Sequence, residues 1–246
     1  MPSVAVIGGT GLESYPGLVV TGEVRSTTVF GEPSAPLVMG EIDGRSVAFL
    51  SRHGPDHDVA PHRINYRANI RALRDAGVKR IYAVAAVGGI ARWLEPGAIV
   101  VPDQLIDYTV SRPSTFFEEG RVVHVDMTRP YTPALRDRLL RGAAEAGVAV
   151  HDGGVYGVTE GPRFETAAEI DRMERDGCAV VGMTAMPEAV LARELDMEYA
   201  ACAVVSNAAA GRGPAEITME DLYANLARGM EEVRRILAAA LAMEPD

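Results

Sequence analysis

Four polar side chains in the sequence have the chemistry to bind one small anion. Arg52 offers a forked pair of donors that suits an oxyanion, and His53 beside it offers a second donor. Thr10 and Thr184 add hydroxyl donors, and all four residues come shortly after segments with the pattern of a strand. The chain has a formal net charge of −10, so a small anion such as phosphate is favoured over a polyanion. Taken alone, Arg52 and His53 fit a surface pair equally well.

A second group of side chains suits a heterocycle. The Glu165 carboxylate accepts hydrogen bonds, whereas the Asn207 carboxamide both accepts and donates them. Such a pair complements a ring that has an N–H edge and a carbonyl, and Phe164 could stack on that ring. Asn207 also fits a simple turn residue before Ala208, and this alternative stays open.

Residues 160–166, with the sequence EGPRFET, predict a turn that leads into a helix. Glu165 and Thr166 stand at the start of that helix, where free backbone N–H groups could help to hold a polar ligand. A capped surface helix with no ligand is the alternative.

The glycine-rich loop at residues 8–11 is a weak indication of phosphate binding. It follows a strand, but Ser14 replaces a glycine of the dinucleotide fingerprint and no Gly-Lys-Ser/Thr follows. A tight turn explains it as well. Ser206 lacks the surroundings of a catalytic serine, and Cys178 and Cys202 lie in apolar segments. No enzyme nucleophile is therefore predicted, and inorganic phosphate is the obvious substitute.

Alternating strands and helices must position these groups. The pattern predicts strands at residues 4–7, 46–51, 80–87, 98–101, 105–108, within 149–158, and at 179–182 and 199–205. It predicts helices at residues 65–76, 133–146, 166–175, 187–194 and 218–242. This order is typical of an α/β fold with a mixed, largely parallel twisted sheet flanked by helices. Ligands bind outside the carboxyl ends of such strands, where most of the candidate residues fall.

Composition narrows the class of protein further. The 246 residues are 48% hydrophobic and have no internal linker, which predicts one domain over residues 1–246. An acidic chain is a poor partner for nucleic acid, and no apolar run is long enough for a transmembrane helix. The first strand leaves no room for a signal peptide, and two apparently buried cysteines suit a reducing compartment, so we expect a cytoplasmic protein. The five histidines show no metal-ligand spacing, so no metal site is predicted.

Five motifs, in order along nearly the whole chain, resemble the trimeric purine nucleoside phosphorylase and methylthioadenosine phosphorylase family. They are the glycine loop at residues 8–11, Arg-His-Gly at 52–54, Gly-Gly at 88–89, Glu-Gly-Pro-Arg-Phe at 160–164 and Met-Thr-Ala-Met-Pro-Glu at 183–188. The resemblance implies a single-domain phosphorylase fold, a homotrimer and reversible phosphorolysis of an N-glycosidic bond. It implies no metal or organic cofactor, with inorganic phosphate as a co-substrate.

The resemblance also implies roles for individual residues. Its phosphate ligands are Thr10, Arg52, His53, Thr184 and the backbone at Ala86, although Ala85 stands where methylthioadenosine enzymes usually have threonine. The residue beneath the ribose matches Met183, and the ring against the base matches Phe164. The catalytic groups are expected to be Asn207, at the base, and His53, at the phosphate.

The base pocket resembles that of enzymes that take 6-oxopurines. Relatives that accept 6-aminopurines have two acidic groups where this chain has Asn207 and Ala209. The Asn207 amide can donate to a 6-oxo group, and Glu165 can accept the N1–H that only 6-oxopurines carry. A mismatch would leave buried polar groups unpaired, at a cost of about 1–3 kcal/mol each.

The opposite end of the pocket resembles the methylthioadenosine branch. Met219 and Leu222 match the positions around the 5′ group, and His124 matches a residue that closes this site from a neighbouring subunit. An apolar lining suits a methylthio group better than a hydroxyl, although Met219 and Leu222 also fit core-facing helix residues. The expected substrate is S-methyl-5′-thioinosine. Methylthioadenosine, inosine or guanosine as substrate, or an inactive nucleoside-binding protein, are the alternatives.

Overall fold

The computed structural model describes residues 2–213 and 218–245, and strands and helices alternate along them. The strands are β1 (Val4–Gly8), β2 (Val19–Val24), β3 (Leu37–Ile42), β4 (Arg45–Ser51), β5 (Arg80–Gly89), β6 (Ile99–Val101), β7 (Gln104–Asp107), β8 (His151–Asp152), β9 (Val155–Val158), β10 (Cys178–Gly182) and β11 (Glu198–Ala208). The α-helices are α1 (Tyr66–Asp75), α2 (Pro133–Ala146), α3 (Ala167–Arg175), α4 (Ala185–Glu194) and α5 (Met219–Ala242), and a short 3-10 helix spans Pro61–Arg63.

All of these strands join one mixed sheet. β2, β3, β4, β1, β5, β10, β9 and β7 lie side by side in that order, while β11 pairs with β5 and β6, and β6 also pairs with β8. β1 runs parallel to both β4 and β5, and β11 runs parallel to β5. Antiparallel pairs include β2 with β3, β3 with β4, and β5 with β10. This mixed, largely parallel arrangement confirms the predicted fold class.

Strand β5 changes partners along its length. It pairs with β1 as far as Ala83, and its last two residues, Gly88 and Gly89, pair with β10. β11 follows β5 from end to end. Residues 84–87 therefore lie beyond the last pair with β1 and before the first pair with β10. Sheets of this kind form binding crevices where neighbouring strands diverge.

Helices cover both faces of the sheet, and β5 divides its side chains between the two resulting cores. Ile81 and Ala83 pack in a core shared with α1 and α4, whereas Tyr82 and Val84 pack in a core shared with α2 and α5. This alternation follows from the two-residue period of a strand. The last helix buries one apolar stripe in the second core, and its members are Leu222, Leu226, Met230, Val233 and Leu237.

Strands β2 and β3 are absent from the sequence-based prediction. β2 lies at the edge of the sheet, and Val19 and Val20 are 67% and 58% exposed, so the strand lacks the alternating burial that marks a strand in sequence. β3 carries Gly40 in its interior, which weakens the strand signal. A Cβ at Gly40 would lie 2.6 Å from the carbonyl oxygen of Val19, so close packing against β2 requires glycine there.

Three predicted helices begin one residue later than expected, because Asn65, Thr166 and Thr218 are N-cap residues of α1, α3 and α5. Each threonine side chain accepts a hydrogen bond from a backbone N–H of the first turn. Within the described ranges, the helices lack the combination of length and apolar character that a membrane crossing requires.

Candidate active site

One cavity opens beside residues 84–87 of β5, where β1 and β4 end. Its lining includes Thr10 after β1, Arg52 and His53 after β4, and Ala86 within β5. Apart from His124, the other predicted site residues line the same cavity: Phe164, Glu165, Met183, Thr184, Asn207, Ala209, Met219 and Leu222. The fold thus brings together groups that are far apart in the sequence.

Arg52 is held rigidly at one side of this cavity. Its Nε and Nη2 donate to the two carboxylate oxygens of Glu188 at 2.7 and 2.9 Å, and its Nη1 donates to the carbonyl of Val84 at 2.8 Å. Burial opposes the charge, but the Glu188 carboxylate raises the pKa of Arg52 overall. Gly9 permits this packing, since a Cβ there would lie 2.9 Å from Nη1. Each Nη nitrogen has a second N–H with which to meet an anion.

Glu188 has a role that sequence reasoning did not assign. Its carboxylate is fully buried and also accepts a hydrogen bond from the Tyr199 hydroxyl at 2.8 Å. Because Glu188 balances the charge of Arg52, a bound anion must rely mainly on directed hydrogen-bond donors. The candidates in the lining are the hydroxyls of Thr10 and Thr184, together with the remaining N–H groups of Arg52 itself.

His53 is prepared as an acceptor, which differs from the donor role suggested by its sequence position. Its Nδ1 lies 2.9 Å from the carbonyl oxygen of Val59, and a carbonyl only accepts, so Nδ1 carries the proton. Burial, with further opposition from the Arg52 charge, lowers the pKa of His53 to about 4. At neutral pH the ring is therefore uncharged, and its Nε2 can accept a hydrogen bond, for example from a phosphate hydroxyl.

We expect His53 to make the fold sensitive to acid. Its pKa falls from 6.5 to about 4 on folding, so the unfolded chain takes up the proton first. The stability is fully present above pH 6.5 and is lost as the pH falls toward 4, by up to about 3 kcal/mol. Denaturant unfolding between pH 7 and 4 should therefore show that the free energy of unfolding falls more steeply for the wild type than for His53→Gln. Parallel pH profiles for the two proteins would contradict this assignment.

His57, to which the sequence analysis gave no role, is a neighbour of the predicted anion site. Its Nε2 lies 3.5 Å from the Thr10 hydroxyl oxygen, and its Nδ1 lies 3.2 Å from a carboxylate oxygen of Glu13. The ring centroid is 4.7 Å from that of His53, and His57 itself lines the cavity. A histidine placed between a carboxylate and a threonine can orient the hydroxyl of Thr10.

Asn207 presents a donor to the cavity because its two neighbours in the chain orient the amide. A β-bulge between Val205 and Asn207 shifts the register of β11 against β5 and turns this end of the strand. Asn207 Nδ2 donates to the carbonyl of Ala208 at 2.8 Å, and the Ser206 hydroxyl donates to Asn207 Oδ1 at 2.8 Å. The amide nitrogen keeps a second N–H for a ligand. Ser206 is thus an orienting residue that sequence reasoning missed.

Glu165 is oriented by Thr159. The Thr159 hydroxyl donates to Glu165 Oε1 at 2.6 Å, which leaves the other carboxylate oxygen as an acceptor in the cavity. Phe164 beside it is 43% exposed, so its ring face is accessible to a planar base. An acceptor from Glu165, a donor from Asn207 and the ring of Phe164 therefore line one cavity.

Thr166 differs from the expectation that it could help to hold a ligand. Its hydroxyl accepts the backbone N–H of Glu169, and the Glu169 carboxylate accepts the backbone N–H of Thr166 at 2.7 Å. This capping box uses the donors at the start of α3 within the helix itself. The capped-helix alternative is correct for Thr166, while Glu165 points its carboxylate elsewhere.

The predicted 5′ end of the cavity is mostly apolar. Met219 and Leu222 come from the first turns of α5, and the neighbouring Tyr223 joins them in the lining. Met183 also lines the cavity, and its sulfur packs close to Gly161, where a Cβ would lie only 2.5 Å from it. His124 is exposed and lies outside the lining, so its place at the site of a neighbouring subunit stays a prediction.

The cysteines are poor nucleophiles in their surroundings. Both are free thiols and both are buried. Burial raises the pKa of Cys202 to about 12 and also raises the pKa of Cys178, which lies 3.7 Å from the Tyr108 hydroxyl. This agrees with their prediction as core residues. Nowhere in the described ranges do three His, Cys, Asp or Glu side chains gather to hold a metal ion.

Comparisons with known proteins find relatives that match nearly the whole chain. The probable S-methyl-5′-thioinosine phosphorylase of Pseudomonas syringae pv. tomato is 49% identical over 98% of this chain and 99% of its own length. The 6-oxopurine nucleoside phosphorylase of Pyrococcus furiosus is 43% identical over 100% of this chain and 94% of its own.

Solved structures with the same architecture include methylthioadenosine phosphorylases. The one sourced from an antarctic soil metagenomic library has a TM-score of 0.93 and 39% identity, covering 98% of this chain and 86% of that chain. The enzyme from Schistosoma mansoni in complex with adenine has a TM-score of 0.94 and 30% identity, and the match covers 99% of this chain and 92% of that chain. The sequence profile described as the phosphorylase superfamily matches residues 3–242. The chain therefore belongs to the phosphorylase superfamily, as its motifs predict.

Proposed function

We propose that this protein catalyses the reversible phosphorolysis of S-methyl-5′-thioinosine to hypoxanthine and 5-methylthioribose 1-phosphate. The observation that carries the proposal is the orientation of two groups in the cavity. Asn207 offers an N–H, because Ser206 and Ala208 fix its amide, and Glu165 offers a carboxylate oxygen. The similar protein from Pseudomonas syringae pv. tomato bears the name of this activity, which supports the proposal.

The choice of base follows from hydrogen-bond polarity. A 6-oxopurine presents an N1–H donor and an O6 acceptor, which complement Glu165 and Asn207. Adenine presents an acceptor at N1 and a donor at its amino group, so it would face both residues with the wrong polarity. Two mismatches at about 1–3 kcal/mol each correspond to at least tenfold discrimination apiece.

The choice of the 5′ group follows from the apolar lining. Met219 and Leu222 offer no hydrogen bond to a 5′-hydroxyl, whereas a thioether packs well against them. Inosine or guanosine phosphorolysis is the second candidate, supported by the 6-oxopurine nucleoside phosphorylase of Pyrococcus furiosus among the similar proteins. Tyr223, which also lines the cavity, carries a hydroxyl that suits this candidate.

In the proposed mechanism, phosphate is the nucleophile. A phosphate oxygen bonds to the anomeric carbon as the bond from that carbon to the purine nitrogen breaks, and the electron pair leaves with the base. The proton that the phosphate hydroxyl gives up on becoming the ester is taken up by the base through solvent, which yields neutral hypoxanthine. Thr10, Arg52, Thr184 and the backbone at Ala86 hold the phosphate, and His53 accepts a hydrogen bond from its hydroxyl. Asn207 donates to the purine as negative charge gathers there. Catalysis comes from positioning and electrostatics.

The proposal also extends to cofactors, domain organisation and assembly. The reaction needs no metal ion or organic cofactor, because phosphate supplies the nucleophile and side chains stabilise the leaving base. One domain of residues 1–246 carries the activity, in a cytoplasmic homotrimer. The exposed position of His124 is consistent with a contact that a neighbouring subunit would complete.

Steady-state kinetics with purified protein and inorganic phosphate test the proposal. We expect kcat/KM for methylthioinosine to exceed the values for both methylthioadenosine and inosine by at least tenfold. A preference for methylthioadenosine would contradict the base assignment, and a preference for inosine would contradict the 5′ assignment. Absence of phosphate-dependent cleavage of all three nucleosides would contradict the enzymatic function.

A further inference from the structure

We infer that Arg112 is a positioning residue that fixes the spacing between the anion end and the base end of the cavity. Arg112 does not line the cavity, and its side chain is 3% exposed. It lies in the long connection between β7 and α2, which the site motifs do not include. The inference rests on the proposed function, since it assigns a role in the geometry of that site.

The guanidinium of Arg112 binds two separate segments at once, called the two loops below. The first is residues 183–186, which include the irregular start of α4 where Met186 departs from helical geometry, and the second is residues 159–160, directly after β9. Nη1 donates to the carbonyls of Met183 and Met186 at 2.7 and 2.6 Å. Nη2 donates to the carbonyls of Thr159 and Glu160 at 3.1 and 2.7 Å. The four N–H bonds of the two terminal nitrogens therefore all have backbone acceptors, two on each loop.

Both loops carry predicted ligand-binding groups. The first loop contains Thr184, between the two methionine carbonyls that Arg112 holds. In the second loop, Thr159 uses its carbonyl to accept from Arg112 and its hydroxyl to hold the carboxylate of Glu165. A phosphate contact and a base contact are thus linked through one rigid, planar side chain.

The surroundings of Arg112 hold it in a single orientation. Its guanidinium lies over the ring of Tyr66 at 5.1 Å, and Nη1 is 3.1 Å from the Tyr66 hydroxyl. Its Nε is 3.6 Å from a carboxylate oxygen of Glu160, and that carboxylate also accepts the backbone N–H of Val110 at 2.9 Å. Such a buried, planar fork cannot be replaced by the point charge of lysine without loss of geometry.

Arg112→Met and Arg112→Lys test this role in the full-length protein. Loosening the two loops misplaces the phosphate relative to the base, so we expect kcat with methylthioinosine to fall about 100-fold. The preference for methylthioinosine over methylthioadenosine should shrink by tenfold or more, because Glu165 loses its fixed position. A general loss of stability would lower the active fraction equally for both substrates and would leave that ratio unchanged.

Arg136→Met is the matched control. Arg136 also donates to two backbone carbonyls, those of Val101 and Pro102, and pairs with Asp152, but it lies outside the cavity lining. We expect wild-type kcat and a wild-type substrate ratio from it. If Arg112→Met does not fold, the kinetics of Arg112→Lys test the positioning role instead, because this variant keeps the buried charge.

Wild-type kcat and substrate ratio in Arg112→Lys would overturn the inference. Titration calorimetry with inorganic phosphate and hypoxanthine gives a readout without turnover, in which hypoxanthine binding to the Arg112 variants in the presence of phosphate should weaken at least tenfold. A wild type that cleaves none of the nucleosides contradicts the proposed function, whereas unchanged ligand binding by the variants contradicts the role of Arg112.

Discussion

Glu188→Ala is expected to destabilise the protein by about 3–5 kcal/mol and to abolish phosphate-dependent turnover. The substitution leaves the Arg52 guanidinium buried without the carboxylate that now accepts from Nε and Nη2. An uncompensated buried charge is far more costly than the loss of an exposed pair. Denaturant unfolding at neutral pH measures the loss, and kinetics at saturating nucleoside measures the effect on phosphate use.

Two further variants separate the structural effect from the functional one. Asp137→Ala breaks the exposed pair with Arg141, so it should change the free energy of unfolding by less than about 1 kcal/mol. The double substitution Arg52→Met with Glu188→Met should recover much of the stability but none of the turnover, because it removes both charges and the phosphate donor. If Glu188→Ala stays within about 1 kcal/mol of the wild type, the ion pair lacks the role assigned to it.

Asn207→Ala is expected to lower kcat for methylthioinosine about 10²–10³-fold, the usual loss when one donor to a developing negative charge is removed. Asn207 is half-buried at the end of β11, so its truncation should leave the unfolding transition nearly unchanged. Steady-state and single-turnover kinetics measure whether the loss lies in the chemical step.

Asn207→Asp is the near-isosteric comparison. Aspartate can still accept from the Ser206 hydroxyl, but its other oxygen would face the Ala208 carbonyl, and it offers the base no donor. We expect it to lose as much activity on 6-oxopurines as the alanine variant. Retention of wild-type kcat by either variant would remove Asn207 from the mechanism.

Most of the site was predictable because its residues follow strand ends. Thr10 comes after β1, Arg52 after β4, and Asn207 closes β11, so an alternating sheet brings them to one edge. Their partners were not predictable, because they depend on contacts over long separations. Glu188 is 136 residues from Arg52, and Arg112 lies 71 residues from the Met183 carbonyl that it holds.

A local sequence signal was present for the start of α3. Thr166 and Glu169 have the spacing of a capping box, which assigns the start of α3 to the helix itself. Ser206 is adjacent to Asn207, but successive strand residues normally face opposite sides, so their hydrogen bond depends on the β-bulge at this end of β11 and had no local signal. The protonated nitrogen of His53 had no such signal, because it depends on where the Val59 carbonyl lies.

The unequal burial of the two ends of the cavity has a consequence for how such proteins diversify. Arg52 and Glu188 are buried together, so substitutions there endanger the fold, whereas Glu165 and Asn207 are half-buried and can vary at little cost in stability. Evolution can therefore exchange the accepted base while the phosphate chemistry stays constant. A library randomised at 165 and 207 should yield many folded proteins with altered nucleoside choice, and one randomised at 52 and 188 should yield few.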